Sequence, residues 1–147
     1  MTAVKKIKFT ETFSVRYPVL RQGKPIESCF FEGDDAETTV HFGLFVEAKL
    51  VGVISVFNNK NSIFSAENQF QIRGMAVLQE YQGKKLGKQL LMQSEAYVSS
   101  QNGDLIWFNA REIAVPFYQN SGYGIVGEGF EIKEIGTHYI MYKHLRH

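Results

Sequence analysis

The chain has one cysteine, Cys29, and no apolar segment that approaches the ~18 residues of a membrane-spanning helix. One cysteine excludes an internal disulfide, so a reducing cytoplasm is the expected location. The first ten residues lack the apolar core of a signal peptide. The net charge of +1 over 147 residues argues against general nucleic-acid binding. These absences predict a cytoplasmic protein without a nucleic-acid or membrane partner.

Hydrophobic periodicity predicts alternating strands and helices within one domain, residues 1–147. A chain of this length can bury roughly 70% of its unfolded surface. The predicted strands are Val4–Phe9, Val40–Val46, Leu50–Phe57, Phe70–Val77, Asp104–Asn109, Gly124–Lys133 and Thr137–Lys143. The predicted helices are Thr10–Arg21, with Thr10 as its cap and Pro18 as a kink, a helix from Lys85 to about Val98, and Ala110–Asn120, with Pro116 as an irregularity.

The stretch Phe70–Tyr97 combines a buried strand, a polar loop containing Gly83 and an amphipathic helix. This order aims free backbone N–H groups at one point, and the helix dipole adds partial positive charge there. The expected ligand is an anion, and specifically a phosphate group. Lys84, Lys85 and Lys88 reinforce the positive charge.

Two familiar phosphate-binding motifs do not fit this loop. A nucleotide P-loop has four residues between its first glycine and a Gly-Lys-Ser/Thr ending, whereas Gly83 and Gly87 enclose three and Gln89 replaces the hydroxyl residue. A dinucleotide fingerprint requires three glycines in a spacing that the loop does not provide.

The loop reads Gln82-Gly83-Lys84-Lys85-Leu86-Gly87. This run resembles the pyrophosphate-binding Q/R-x-x-G-x-G/A motif of the GCN5-related N-acetyltransferase (GNAT) family, with Lys85 in place of the motif's first glycine. Val77 lies where that family's strand hydrogen-bonds the pantetheine arm of acetyl-CoA, with the polarising amide near Val77 and Leu78. The resemblance implies these cofactor-binding residues: Val77, Gln82, Gly83, Lys84, Lys85, Leu86, Gly87, Lys88 and Arg111.

A second block resembles the family's N-x-x-A-x-x-F/L-Y-x-x-x-G-F/Y pattern, with Arg111 at the asparagine position. The matching residues are Arg111, Ala114, Phe117, Tyr118, Gly122 and Tyr123. Tyr118 takes the place of the tyrosine that protonates the departing CoA thiolate. A packed aromatic with a satisfied hydroxyl is the structural alternative. His138 lies in a strand that resembles one beside the family's substrate cleft.

The motifs identify neither the general base nor the acceptor amine. Many relatives carry a glutamate on the central strand, but Gln71, Arg73, Met75 and Val77 provide no carboxylate there. His138, Glu80 and a water relay remain candidates, and histidine exchanges a proton near neutral pH. Arg73 is interpreted either as a structural ion pair with the acidic loop or as an anchor for a substrate carboxylate.

The acidic loop around Glu32–Glu37 is interpreted as solvated, with a lid for a cationic amine as the alternative. His41 is interpreted as a satisfied sheet residue rather than a catalyst.

The resemblance implies one α/β domain with a mixed, mostly antiparallel sheet of six or seven strands and helices on both faces. It implies an enzyme that transfers acetyl from acetyl-CoA, without a metal, to a primary amine of a small molecule or peptide. A non-catalytic acyl-CoA sensor is the alternative, and a homodimer stays open.

Overall fold

The computed structural model describes residues 1–145, which form seven strands and three α-helices. The strands are β1 (Thr2–Ile7), β2 (Val40–Val46), β3 (Lys49–Phe57), β4 (Gln69–Val77), β5 (Leu105–Arg111), β6 (Gly124–Ile132) and β7 (Gly136–His144). The helices are α1 (Phe13–Leu20), α2 (Leu86–Ser100) and α3 (Val115–Asn120).

The strands form one sheet in the order β1-β2-β3-β4-β5-β7-β6. The pairs β1–β2, β2–β3, β5–β7 and β6–β7 are antiparallel. Strands β4 and β5 are parallel, with Gln69 beside Leu105 and Gln71 beside Trp107. The predicted fold class is confirmed.

The chain divides into two compact units. The first contains Met1–Asn58 and Ile72–Tyr97, and its core includes Val15, Val53 and Ala76. The second contains Asn59–Gln71 and the chain from Val98 onward, with a core that includes Leu105, Ile106, Phe108 and Met141. Strand β4 contributes residues to both units.

The predicted strands Val40–Val46 and Leu50–Phe57 are confirmed as β2 and β3, which form a hairpin, although β3 begins at Lys49 rather than Leu50. Glu47 and Ala48 form the turn, with φ of 47° and 69°. Two successive positive φ values match the twist of an antiparallel hairpin, although glycine and asparagine adopt them at lower cost. The pairing of β2 with β3 therefore fixes the backbone of this turn, although Glu47 and Ala48 do not favour positive φ values.

The first two elements differ from their predicted bounds. β1 covers Thr2–Ile7 rather than Val4–Phe9 because it pairs with β2 from Thr2 opposite Val46 to Ile7 opposite His41. Thr10 does not cap a helix, since Phe9–Thr12 forms a 3-10 turn and α1 begins at Phe13. The Glu11 carboxylate instead accepts the backbone N–H of Lys8 at 2.9 Å.

The third helix is also shorter than predicted. Ala110 and Arg111 belong to β5, because each pairs with a residue of β7, and a 3-10 turn at Glu112–Ala114 precedes α3. Pro116 lies in the first turn of α3, where its missing N–H costs no hydrogen bond. Ile113, which lies within the predicted helix, belongs to this 3-10 turn and is 89% exposed.

Candidate active site

The loop after β4 begins with two hydrogen bonds that fix the end of the strand. The Leu78 N–H donates to the Val51 carbonyl at 2.8 Å, and the Gln82 side-chain amide donates to the Val77 carbonyl at 2.8 Å. The Leu78 amide, one of the two expected to polarise a thioester carbonyl, is therefore already engaged. The Val77 carbonyl keeps a second lone pair.

The backbone of the loop turns through two residues with positive φ. Gly83 has φ of 81°, and Lys85 has φ of 63°. Lys85 occupies the position at which the motif has a glycine, and its backbone adopts the left-handed conformation that glycine adopts most readily. A lysine in this conformation costs of order 1 kcal/mol. The sequence departs from the motif at Lys85, but the backbone keeps a glycine-type conformation.

Helix α2 begins directly after Lys85. Leu86, Leu90 and Leu91 are buried and anchor its first turns, which confirms the predicted apolar stripe. The N–H groups of the first turn have no acceptor within the helix and carry the positive end of its dipole. The side chains of Lys84, Lys85 and Lys88 are exposed beside them. This end of α2 has the donors and the charge that a phosphate group requires.

A buried ion pair lies under the acidic loop in the same unit. Arg16 on α1 and Asp34 are each fully buried and form two hydrogen bonds, of 2.6 and 3.1 Å. Arg16 also donates to the Cys29 carbonyl at 2.7 Å and to the Ser55 hydroxyl at 2.9 Å. The Asp34 carboxylate accepts the Phe31 N–H at 2.8 Å. The expectation of a solvated loop is wrong at Asp34 because its carboxylate neutralises a buried arginine.

His41 completes this network as a neutral imidazole. Its Nε2–H donates to the Asp34 carbonyl at 2.9 Å, because a carbonyl can only accept, and its Nδ1 accepts from the Ser55 hydroxyl at 2.6 Å. Burial lowers the pKa of His41, and the Arg16 charge lowers it further against the opposing effect of Asp34. The interpretation of His41 as a satisfied sheet residue is confirmed.

Arg73 on β4 is half-buried beside two aromatic rings. Its guanidinium carbon lies 4.9 Å from the Phe31 ring centroid and 5.3 Å from that of Phe57. Among the described residues, no carboxylate lies within ion-pair distance of Arg73. The acidic loop therefore pairs with Arg16, a residue that the sequence patterns did not indicate, and not with Arg73. The sequence signal that could have indicated Arg16 was the position of an arginine next to Val15 in a short, otherwise largely apolar helix.

Tyr118 is buried on α3 among aromatic rings of the second unit. Its ring centroid lies 4.4 Å from that of Phe108 and 5.1 Å from that of Phe117. Burial raises the pKa of Tyr118 to about 12. The described residues place no hydrogen-bond partner on its hydroxyl. The helix ends as predicted, since the Tyr118 carbonyl accepts the Tyr123 N–H at 3.1 Å and Gly122 has φ of 93°.

His138 and Arg111 face one another in the register of β7 and β5. His138 is 6% exposed, and its Nδ1–H donates to the Gly136 carbonyl at 2.9 Å. This bond assigns the tautomer, so Nε2 of the neutral ring carries the lone pair. Arg111 is exposed at the end of β5. Glu80, the other candidate base, is exposed in a 3-10 turn.

The proposed cofactor loop, Val77 and Arg73 thus belong to the first unit, and Tyr118, His138 and Arg111 to the second. No group of three or more histidine, cysteine, aspartate or glutamate residues in residues 1–145 could hold a metal ion. No helix in the described chain is both long and apolar enough to span a membrane.

Comparisons with known proteins agree with this architecture. The model of the acetyltransferase (GNAT) domain matches residues 27–144. An uncharacterized N-acetyltransferase, YitI of Bacillus subtilis (strain 168), is 32% identical over 146 residues, which covers 99% of this chain and 98% of that protein. The chain therefore belongs to the GNAT family and is an N-acetyltransferase of that family.

Solved structures show the same fold at low sequence identity. A candidate N-acetyltransferase from Lactobacillus plantarum superposes with a TM-score of 0.82 at 14% identity, covering 99% of each chain. An aminoglycoside 6'-N-acetyltransferase complexed with coenzyme A superposes with a TM-score of 0.77 at 14% identity, covering 97% of this chain and 96% of that one.

Proposed function

We propose that the whole chain is one N-acetyltransferase domain that moves acetyl from acetyl-CoA to a primary amine of a small molecule or peptide. The observation that carries this proposal is the loop before α2. Its left-handed Lys85 and Gly83, its helix N-terminus and its three exposed lysines together suit a pyrophosphate. The buried free Cys29 is consistent with work in a reducing cytoplasm.

The cofactor-binding residues follow from this loop and from the family resemblance. Acetyl-CoA would supply an activated thioester. Val77 would hold its pantetheine arm through the strand backbone, and the amides after Lys85 would hold its phosphates. The full set is Val77, Gln82, Gly83, Lys84, Lys85, Leu86, Gly87, Lys88 and Arg111.

Two proton transfers accompany the reaction, one from the attacking amine and one to the departing sulfur. The amine nitrogen attacks the thioester carbon, the carbon–sulfur bond breaks, and the acetyl group stays on nitrogen. His138 is proposed to accept the proton that the amine loses, because its Nδ1–H···O bond leaves the Nε2 lone pair available. Tyr118 is proposed to donate a proton to sulfur, because with a pKa of about 12 it remains protonated at neutral pH. Arg73 is proposed to bind the substrate.

The test is CoA release from acetyl-CoA with a panel of amines, which includes amino acids, peptides, polyamines and aminoglycosides. Amine-dependent release together with an acetylated product by mass spectrometry supports the transferase. Tight acetyl-CoA binding without release for any amine would instead support the sensor. Reactions without amine measure background hydrolysis.

A further inference from the structure

Arg73 has donors that the other residues in the range 1–145 do not use. A guanidinium carries five N–H donors, and no hydrogen bond or ion pair joins Arg73 to another described residue. Its guanidinium carbon rests near the faces of Phe31 and Phe57, at 4.9 and 5.3 Å from their centroids. These contacts hold the side chain in place without neutralising its charge.

The surroundings of Phe31 carry more positive than negative charge. Three guanidinium groups lie near its ring centroid, those of Arg16 at 3.8 Å, Arg73 at 4.9 Å and Arg21 at 5.1 Å. Arg21 donates to the carbonyls of Ser28 and Leu20, which are neutral acceptors. Burial lowers the pKa of Arg73, with further lowering from Arg16 and Arg21 and opposing effects of Asp34 and Glu32.

The two carboxylates near this cluster do not balance it. Asp34 is fully buried, and its oxygens already accept from Arg16 and from the Phe31 N–H. Glu32 is exposed and forms no ion pair with Arg73. Because its oxygens already accept these hydrogen bonds, Asp34 is unavailable to a cationic substrate. The cluster therefore favours a ligand with negative charge over a polycation.

Building on the function proposed above, we infer that the acceptor amine also carries a carboxylate, which Arg73 binds. The guanidinium fork matches a carboxylate through two parallel N–H···O bonds. Arg73 lies four residues before Val77 on β4, and the positive φ of Gly74 (67°) interrupts the extended backbone between them, so at ~3.3 Å per residue the two lie at most about 13 Å apart. An amino acid or a peptide with a nearby carboxylate belongs to this substrate class.

Matched acceptor pairs test this inference. Each pair consists of an amino acid and its carboxamide, taken from α-amino acids and from ω-amino acids such as 6-aminohexanoate. In the parent enzyme kcat/KM should favour the carboxylate member by roughly 10- to 100-fold, the range for a hydrogen-bonded charge. Arg73→Gln should bring this ratio close to one, mainly through KM, and Arg73→Lys should keep part of it.

Lys24→Gln is the matched control, since it removes one exposed positive charge from the same unit and should leave the ratio unchanged. Equal use of both pair members by the parent enzyme, or an unchanged ratio in Arg73→Gln, would overturn the inference and leave the transferase function intact. Circular dichroism and thermal unfolding verify that each variant is folded.

A binding measurement separates this inference from the catalytic proposal. If no amine releases CoA, the transferase proposal fails. The protein is then titrated with 6-aminohexanoate and, separately, with its carboxamide, and binding is followed by NMR at the backbone N–H groups of Gly74 and Phe31. Saturable binding of the acid alone that Arg73→Gln abolishes supports a carboxylate site. Absence of saturable binding, or equal binding of the amide, overturns it.

Discussion

Tyr118 and Lys85 are single residues whose surroundings change their ordinary properties. The Tyr118 phenol is buried among aromatic rings, and this burial raises its pKa to about 12. Lys85 holds a backbone φ of 63°. Both properties can be measured by changing one side chain.

Tyr118→Phe removes one hydroxyl and should preserve the fold and the affinity for acetyl-CoA. Acetyl transfer should fall by roughly 10²–10⁴-fold, the usual effect of losing a positioned acid, and the loss should appear in kcat. Single-turnover kinetics would measure it without interference from product release. Tyr142→Phe on β7 is the control. Transfer at the parent rate by Tyr118→Phe would assign Tyr118 to packing alone.

The pH profile offers a second test of Tyr118. The protonated phenol is the active form, and it is lost only as the pH rises towards its pKa of about 12. We therefore expect no loss of kcat from Tyr118 between pH 7 and about 10. An alkaline limb in this range that disappears in Tyr118→Phe would contradict the raised pKa, whereas a profile in Tyr118→Phe parallel to that of the parent is expected.

Lys85→Gly should stabilise the protein relative to Lys85→Ala by about 1 kcal/mol, because glycine adopts a positive φ without steric cost. The free energy of unfolding in urea measures the difference. At Lys84, whose φ is negative, the order should reverse, since glycine there only adds flexibility to the unfolded chain. An alanine variant at Lys85 as stable as the glycine variant would show that the loop relaxes.

At the scale of elements, the start of α2 and the loop before it form the proposed phosphate site. The exposed lysines and the helix dipole act together there, so one added negative charge opposes both.

Gly87→Glu places bulk and negative charge in the first turn of α2 and should weaken CoA binding by at least 10-fold. Isothermal titration calorimetry measures the dissociation constant. Ala96→Glu adds the same charge to an exposed position further along α2 and should leave the affinity nearly unchanged. Equal affinities of Gly87→Glu and the parent for CoA would place the phosphates elsewhere.

At the scale of the whole molecule, the buried network of Arg16, Asp34, Ser55 and His41 links α1, the acidic loop, β2 and β3. A buried ion pair that keeps both partners is tolerated, whereas loss of one partner leaves an uncompensated charge. The neutral state of His41 adds a dependence on pH.

The folded pKa of His41 lies below its ordinary value of 6.5, so the unfolded chain binds this proton more readily. The free energy of unfolding should therefore fall as the pH drops below about 6.5, by at most about 1.4 kcal/mol per pH unit from this group. Urea unfolding between pH 5 and 8 measures the slope. His41→Asn should reduce the slope. An identical slope in His41→Asn would contradict this account.

Prediction from the sequence succeeded where neighbouring residues decide the structure. The hairpin of β2 and β3, the strand before Leu78, and the apolar stripe of α2 depend on alternation and helical spacing, which one short window contains. It failed at Ala110 and Arg111, which were predicted to be helical from their local spacing. Both residues instead belong to β5, because they pair with β7, a strand almost thirty residues later in the chain. It also failed at Thr10, where a 3-10 turn replaced the expected cap.

The sequence by itself indicated the class of protein through its resemblance to two motifs of the GNAT family, and it indicated the place of the proposed phosphate loop because a strand, a glycine-bearing turn and an amphipathic helix are local features. Only the tertiary structure decided how the charges are paired. Arg16 and Asp34 are 18 residues apart and meet because α1 packs against β3, which removes both charges from water. Within the described part of the chain, Arg73 is left without an ion-pair partner for the same reason, since the buried carboxylate of Asp34 already pairs with Arg16.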